Sequence, residues 1–153
     1  MPNINDIIKP IALPATSEKT LNIEDFKGRN LVIYFYPKDS TPGCTTESQD
    51  FTENYAAFQK ANTDIIGVSR DSIKSHEKFK AKYAMPFELV SDEEEALCQY
   101  FDVIKEKNMY GKKYMGIERS TFLINTDGQL TKEWRKVRVP GHVEEVLQAV
   151  QAL

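Results

Sequence analysis

The stretch LVIYFYPKDSTPGC, Leu31 to Cys44, decides how the rest of the chain is read. Its first half, Leu31 to Tyr36, is an unbroken apolar and β-branched run bounded by Asn30 and Pro37, the pattern of a short strand buried on both faces of a sheet. Pro37 ends that strand, because proline has no N–H to donate to a neighbour. Pro42 supplies a φ already suited to a first helical turn, and beyond it Phe51, Tyr55 and Phe58 recur at the spacing of an amphipathic helix starting at Pro42 or Gly43. A buried strand, a stiff polar loop and a helix therefore follow one another, with Cys44 at the helix start.

Outward from this unit the alternation repeats. Asp64 to Ser69 reads as a second strand, and Ser72 to Ala84 as a helix with Ile73, Phe79 and Tyr83 facing the sheet, closed by Pro86. Phe87 to Val90 is a third short strand, and Ser91 is placed to cap an acid-rich helical turn running through Phe101. Ser120 to Val137 reads as two strands joined at Asp127-Gly128, and Val143 to Leu153 as a helix with Val143, Val146, Leu147 and Val150 on its apolar positions. Residues 1–30 predict a short strand and turn, then an Asn22-led helical turn ending at Gly28, an addition to the core. This order predicts an α/β protein: a mixed central sheet with helices on both faces and an amino-terminal extension, the thioredoxin-like fold, in a single domain spanning 1–153.

Composition narrows the function classes. A chain of 153 residues is long enough to bury roughly 68–70% of its unfolded surface, so it needs no disulfide or metal to fold. Its 41% hydrophobic and 28% charged residues are those of a folded, water-soluble domain, not a disordered one. The net charge of −3, with Lys and Arg scattered among Asp and Glu, argues against nucleic acid as a partner. The amino terminus MPNINDIIKP has no basic leader followed by an apolar core, and no run approaches the ~20 apolar residues of a membrane span, so a cytoplasmic protein is expected. No long apolar stretch asks for a partner, so a monomer is expected. Two cysteines do not make a disulfide framework, and a reducing compartment would keep both as thiols.

Cys44 is the residue with chemistry to explain. A lone cysteine is commonly a small buried hydrophobe, but one at a helix start, flanked by Thr41, Pro42, Gly43 and Thr45, is poorly placed for the core. There the unpaired N–H groups of the first turn and the helix dipole both favour thiolate over thiol. Thr41 can offer its hydroxyl to an incoming oxygen. The flanks exclude several chemistries. Glu47 stands where a C-x-x-C motif needs its second cysteine, and Asp50 where a C-x5-R phosphatase needs its arginine. His76 and His142 are the only histidines, stand in no motif for a thiol hydrolase and are expected on the solvated surface. Neither zinc-ligand spacing nor any cofactor motif is present. What remains is direct attack of a thiolate on an electrophile needing little acid–base help, such as a peroxide.

The segment Pro37-Lys-Asp-Ser-Thr41-Pro-Gly-Cys44 fits the P-x-x-x-[TS]-x-x-C signature of peroxiredoxins. Together with GVSRDS at Gly67 to Ser72 and Arg119 before STFLI, the chain from about Ile11 onward resembles the bacterioferritin comigratory, or Q-type, subfamily. The resemblance implies a thioredoxin-like fold and thiol-dependent reduction of hydrogen peroxide and alkyl hydroperoxides. It implies that Cys44 is the peroxidatic cysteine, oxidised to a sulfenic acid, and that Thr41 and the Cys44 N–H bind the peroxide oxygens. Arg119 would stabilise the thiolate and the charge on the leaving oxygen, and Pro37 would shield the site from water. Glu47 is expected on a solvated helix face, outside the site.

The chain departs from the subfamily in its second thiol. Many Q-type members carry a resolving cysteine five residues after the peroxidatic one, where this chain has Gln49; others place it on the next helix, which here contains none. Cys98, beside Leu97, Tyr100 and Phe101, is expected to be buried, with acidic neighbours disfavouring its thiolate. The expectation is a one-cysteine mechanism in which glutathione, glutaredoxin or thioredoxin resolves the sulfenic acid. The alternatives are a Cys44–Cys98 disulfide, or a thiol redox sensor or chaperone without turnover.

Overall fold

The structure, a computed structural model, describes residues 1–153. Its elements in chain order are β1 (Ala12–Ala15), β2 (Lys19–Asn22), β3 (Asn30–Phe35), α1 (Pro42–Lys60), β4 (Thr63–Ser69), α2 (Ile73–Lys82), β5 (Glu88–Ser91), α3 (Ala96–Tyr100), β6 (Ile104–Met109), β7 (Lys112–Ile117), β8 (Ser120–Ile124), β9 (Leu130–Trp134) and α4 (His142–Gln151). Seven strands form one sheet in the order β2-β1-β5-β4-β3-β8-β9. β3, β4 and β5 run parallel, with α1 and α2 supplying the crossovers that parallel neighbours need, and β8 pairs antiparallel to β3 on its other side. All six residues of β3 are buried, which is why the run carries no polar alternation.

The pleat of β3 divides the core in two. Val32, Tyr34 and Tyr36 point to one face, where Phe51 and Phe58 of α1, Phe79 of α2 and Val143, Val146 and Val150 of α4 cover them. Leu31, Ile33 and Phe35 point to the other, where Leu97 of α3, the following Phe101, Ile104 and Ile117 of the β6–β7 ribbon, and Ile8 and Ile23 of the amino-terminal segment pack. Helices do lie on both faces, as expected for this thioredoxin-like fold, but unequally: three long helices on one, and short α3 with a β-ribbon on the other.

Several local expectations need correction. The amino-terminal segment is no appendage, since β1 pairs with both β2 and β5 and extends the main sheet. Its helical turn, Ile23–Phe26, is capped as read: the Asn22 side chain accepts from the Glu24 N–H, and the Asp25 carboxylate accepts from the Asn22 N–H. Ser91 caps no helix; α3 begins after Glu95, and the Asp92 carboxylate accepts from the Cys98 N–H at 2.7 Å. The β6–β7 ribbon was not legible, because its lysines interrupt any apolar alternation. Its turn signal was the pair Tyr110-Gly111, both at positive φ (52° and 80°), and its far end leaves Met109, Tyr110, Tyr114 and Met115 exposed.

The two histidines are not solvated. His76, on the sheet-facing side of α2, and His142, the first residue of α4, are both buried. His142 packs edge-on against Phe51 and Trp134, with Nε2 at 2.8 Å from the Thr121 hydroxyl. Burial lowers its pKa to about 4, with Glu145 opposing and Arg119 adding to the shift, so the ring is neutral at physiological pH. The two rings lie on different helices, α2 and α4, each turned inward where its helix packs on the sheet.

Gly67 shows how tightly the central strands are fitted. It lies between Tyr34 and Leu89 in the register of β3, β4 and β5, and a Cβ there would meet the Tyr34 ring and the Leu89 methyl, each at 2.8 Å. Tyr34 cannot yield easily, being stacked on Phe51 at 4.6 Å and hydrogen-bonded to the Ser48 hydroxyl at 2.8 Å. Gly67→Ala is therefore expected to destabilise the fold by about 1–3 kcal/mol, as overpacking does. The check is the urea midpoint at unchanged m-value, and a midpoint equal to that of the parent would show that the core relaxes around the methyl.

Candidate active site

The end of β3, the loop after it and the first turn of α1 form one continuous frame. The Tyr36 N–H still donates to Val68 O at 3.1 Å, so the sheet holds the chain up to the half-buried Pro37. Thr41 is the N-cap of α1, with extended backbone (φ −86°, ψ 153°), and its hydroxyl donates to Lys38 O at 2.7 Å instead of capping the helix. The first turn closes with the Thr45 N–H donating to Thr41 O at 2.9 Å, so the Gly43 and Cys44 N–H groups precede the first such bond. Both therefore stand without an intrahelical acceptor at the positive end of the helix dipole.

Cys44 itself is a correction. It is 1% exposed and packs within the apolar cluster of Tyr34 and Phe51, because the first turn of α1 already presents its inner face to the sheet. The thiol is thus at once a core side chain and the polar end of that core.

Arg119 reaches it from across the sheet. In the β3–β8 register Ser120 pairs with Phe35, so the preceding residue, Arg119, stands over the carboxyl end of β3, beside the loop. Its Nη2 lies 3.4 Å from Cys44 Sγ, and its Nη1 donates to Glu47 Oε1 at 2.7 Å. Gly43 makes room for this approach: a Cβ there would come within 3.1 Å of Nη2. Burial works against the guanidinium charge, but Glu47 and then Cys44 outweigh it and hold the arginine pKa above its ordinary value.

Glu47 was expected on a solvated face and is instead 0% exposed. Its Oε2 has no hydrogen-bond partner, and burial raises its pKa to about 7 against the opposing pull of Arg119. The available signal was spacing: Glu47 is one helical turn from Cys44 and Phe51 one turn further, so all three share a face. Lys107 of β6 is a second residue that was missed. It is half-buried, and burial followed by the Arg119 charge lowers its pKa while Cys44 opposes them, which puts the lysine in the electrostatic field of the site.

Cys98 is not brought to this site. It belongs to the apolar cluster on the other face of the sheet, with Phe35 and Phe101, whereas Cys44 belongs to the cluster under α1. Burial, then Asp92, raises the Cys98 pKa far above the ordinary thiol range, in line with its acidic surroundings in sequence.

The raised Glu47 pKa fixes a pH dependence. The folded protein binds this proton more tightly than the unfolded chain, so the stabilisation is complete below the unfolded value of 4.5 and is lost as pH rises through about 7. Relative to Glu47→Gln, the parent should lose on the order of 3 kcal/mol of unfolding free energy between pH 4.5 and 8. Urea titrations of both proteins across that range test this, and parallel curves would mean that Glu47 stays ionised throughout.

The AhpC/TSA family pattern matches residues 4–133. Peroxiredoxin Bcp of Xanthomonas campestris is 57% identical over 143 residues, covering 94% of this chain and 88% of the relative. Peroxiredoxin Bcp of Bacillus subtilis is 53% identical over 133 residues, covering 87% and 85%. A solved structure of the Xanthomonas campestris bacterioferritin comigratory protein, described for its alkyl peroxide reduction activity, matches with a TM-score of 0.89 at 55% identity, covering 93% of this chain and 90% of that one. With this coverage and a cysteine–arginine pair standing where the signature loop meets α1, the chain belongs to the AhpC/TSA family, as a peroxiredoxin of the Bcp, or Q, type.

Proposed function

We propose that this peroxiredoxin reduces hydrogen peroxide and alkyl hydroperoxides at Cys44, by a one-cysteine route completed by an external thiol. The observation that carries the proposal is the Arg119 Nη2 contact with Cys44 Sγ at 3.4 Å, at the start of a helix. A guanidinium and a helix amino terminus converge on one sulfur and so face the negative charge carried through a displacement at that atom. The described activity of the Xanthomonas campestris protein on alkyl peroxides supports the substrate class.

In the proposed reaction the Cys44 thiolate displaces the leaving oxygen of the peroxide. An S–O bond forms, the O–O bond breaks, and the departing alkoxide or hydroxide takes up a proton to leave as alcohol or water. Arg119, fixed by Glu47, faces the negative charge as it moves from sulfur to the leaving oxygen, so little reorganisation is needed during the step. The Thr41 hydroxyl proton is engaged by Lys38 O, which leaves the oxygen lone pairs to accept from the peroxide O–H. The Cys44 N–H donates to the peroxide oxygens, and Pro37 screens the loop from water. The Cys44 sulfenic acid then condenses with an external thiol, releasing water, and a second thiol reduces the mixed disulfide. Glutathione, glutaredoxin and thioredoxin all supply this chemistry.

A Cys44–Cys98 disulfide is disfavoured on physical grounds. It requires Cα atoms within about 7 Å, and the two thiols belong to core clusters on opposite faces of the sheet.

Cys44→Ser is expected to abolish peroxide consumption in a thiol-coupled assay, and Arg119→Ala to lower the peroxide rate about 100-fold. Activity surviving in Cys44→Ser would remove the nucleophile; a peroxide rate in Arg119→Ala equal to that of the parent would remove the arginine. Cys98→Ser should keep most of its turnover with glutathione supplied. Peptide mapping that finds Cys44 joined to Cys98 in most of the oxidised parent, with turnover lost in Cys98→Ser, would replace this route by a two-cysteine one.

A further inference from the structure

The loop that carries Thr41 is tied down by a buried polar network that the chemistry above does not use. Asp39, in the middle of the loop, is buried although it belongs to no helix or strand. Its Oδ1 accepts from the Tyr36 hydroxyl at 2.6 Å, and its Oδ2 from the Ser75 hydroxyl at 2.8 Å. The same Oδ2 lies 2.7 Å from Nδ1 of His76, and the Asp39 N–H donates to Asp71 Oδ2 at 2.9 Å. Groups from the residue just after β3, from the turn after β4 and from α2 thus converge on one loop residue.

The protons in this network are constrained by their partners. His76 Nε2 faces Val90 O at 3.0 Å, and a carbonyl can only accept, so Nε2 carries a proton. An ionised Asp39 also only accepts, so its contact with Nδ1 places a second proton between the two side chains. The remaining neighbours of the ring are the Tyr36 hydroxyl at 3.4 Å, the Ser69 hydroxyl at 3.5 Å and the Asp71 carboxylate, whose oxygen lies within 4.8 Å of the Asp39 and His76 ligand-type atoms. The Asp71 carboxylate is itself engaged by the Ser69 hydroxyl as well as by Asp39. Every charged group in the cluster is used to hold another.

What this network holds is a conformation the loop would not keep unaided. Ser40, between Asp39 and Thr41, has φ of 63°, a left-handed backbone disfavoured for a residue with a Cβ. That residue sets the direction in which the chain enters Thr41 and the first turn of α1. A loop free to relax at Ser40 would move the Thr41 hydroxyl, now fixed on Lys38 O at 2.7 Å.

We propose that Asp39 and His76 are positioning residues for peroxide reduction: their contact latches the loop to α2, so that the Thr41 hydroxyl and the Cys44 N–H address the same substrate oxygen. The inference rests on Cys44 being the reacting thiol. It distinguishes two properties of that thiol. Reaction with a peroxide needs the aligned loop, whereas alkylation by iodoacetamide needs only an accessible thiolate.

The test compares the rate constants for hydrogen peroxide and for iodoacetamide in the parent, Asp39→Asn and Ser75→Ala, with the thermal midpoint of each. Asp39→Asn should lower the peroxide rate about tenfold or more while alkylation changes less than about threefold, since small misplacements are costly to oriented reactions. Ser75→Ala removes one donor to Asp39 from a half-buried position, and should lower the peroxide rate by about threefold with alkylation unchanged. Ser75→Ala decides the matter if Asp39→Asn does not fold. Peroxide and alkylation rates that fall together, or a peroxide rate equal to that of the parent in both variants, would overturn the latch. Peroxidase activity persisting in Cys44→Ser would instead overturn the reading on which it rests.

Discussion

The guanidinium of Arg119, held between the Cys44 sulfur and the Glu47 carboxylate, is the interaction around which the site is organised. It exists because β8 runs antiparallel to β3 in a register that brings residue 119 above the end of the central strand. Neither partner reaches the other by local sequence. The sheet supplies the distance, and Gly43 supplies the clearance. For the proposed displacement, a buried cation beside this sulfur is preorganised electrostatics: the charges are in place before the bond changes begin. Burial also sets the cost, visible in Glu47, whose carboxyl titrates near 7 because the core penalises its ionised form more than one guanidinium repays.

The same sheet separates the chemistry of the two thiols. Cys44 stands at a helix amino terminus facing a cation, and Cys98 in an apolar cluster beside an aspartate on the opposite face. Desolvation and a neighbouring carboxylate both act against ionisation of Cys98, leaving it a thiol packed as a small hydrophobe. One structural layer, the seven-stranded sheet, therefore decides both which sulfur is set among positive charges and why the other is remote from it.

Polar residues in the core carry much of the positional information. Tyr34 bonds to Ser48 across the base of α1, Tyr36 bonds to Asp39 under the loop, and His142 bonds to Thr121 beneath α4. Each pair satisfies groups that would otherwise be costly inside an apolar core, and each ties a helix or loop to a strand at one register. Apolar packing sets that these layers associate; the polar pairs set where along the strand they do so.

Sequence alone was sufficient for the alternation of strands and helices from Asn30 to Ser91, for the final helix, and for Cys44 at a helix start, because periodicity and proline placement are local properties. The family signature then pointed to Thr41 and Arg119. Local pattern was insufficient wherever the decision lay between distant segments. Glu47 and His76 read as surface residues because a carboxylate or an imidazole is ordinarily solvated, and only the packing of α1 and α2 on the sheet turned them inward. Asp39 read as a turn residue, and the β6–β7 ribbon had no apolar alternation to announce it. Residue type and spacing determined that a cysteine would stand at this helix start; tertiary structure decided which charges meet it, since a hydrogen bond between residues 44 and 119 depends on a sheet register that no local pattern encodes.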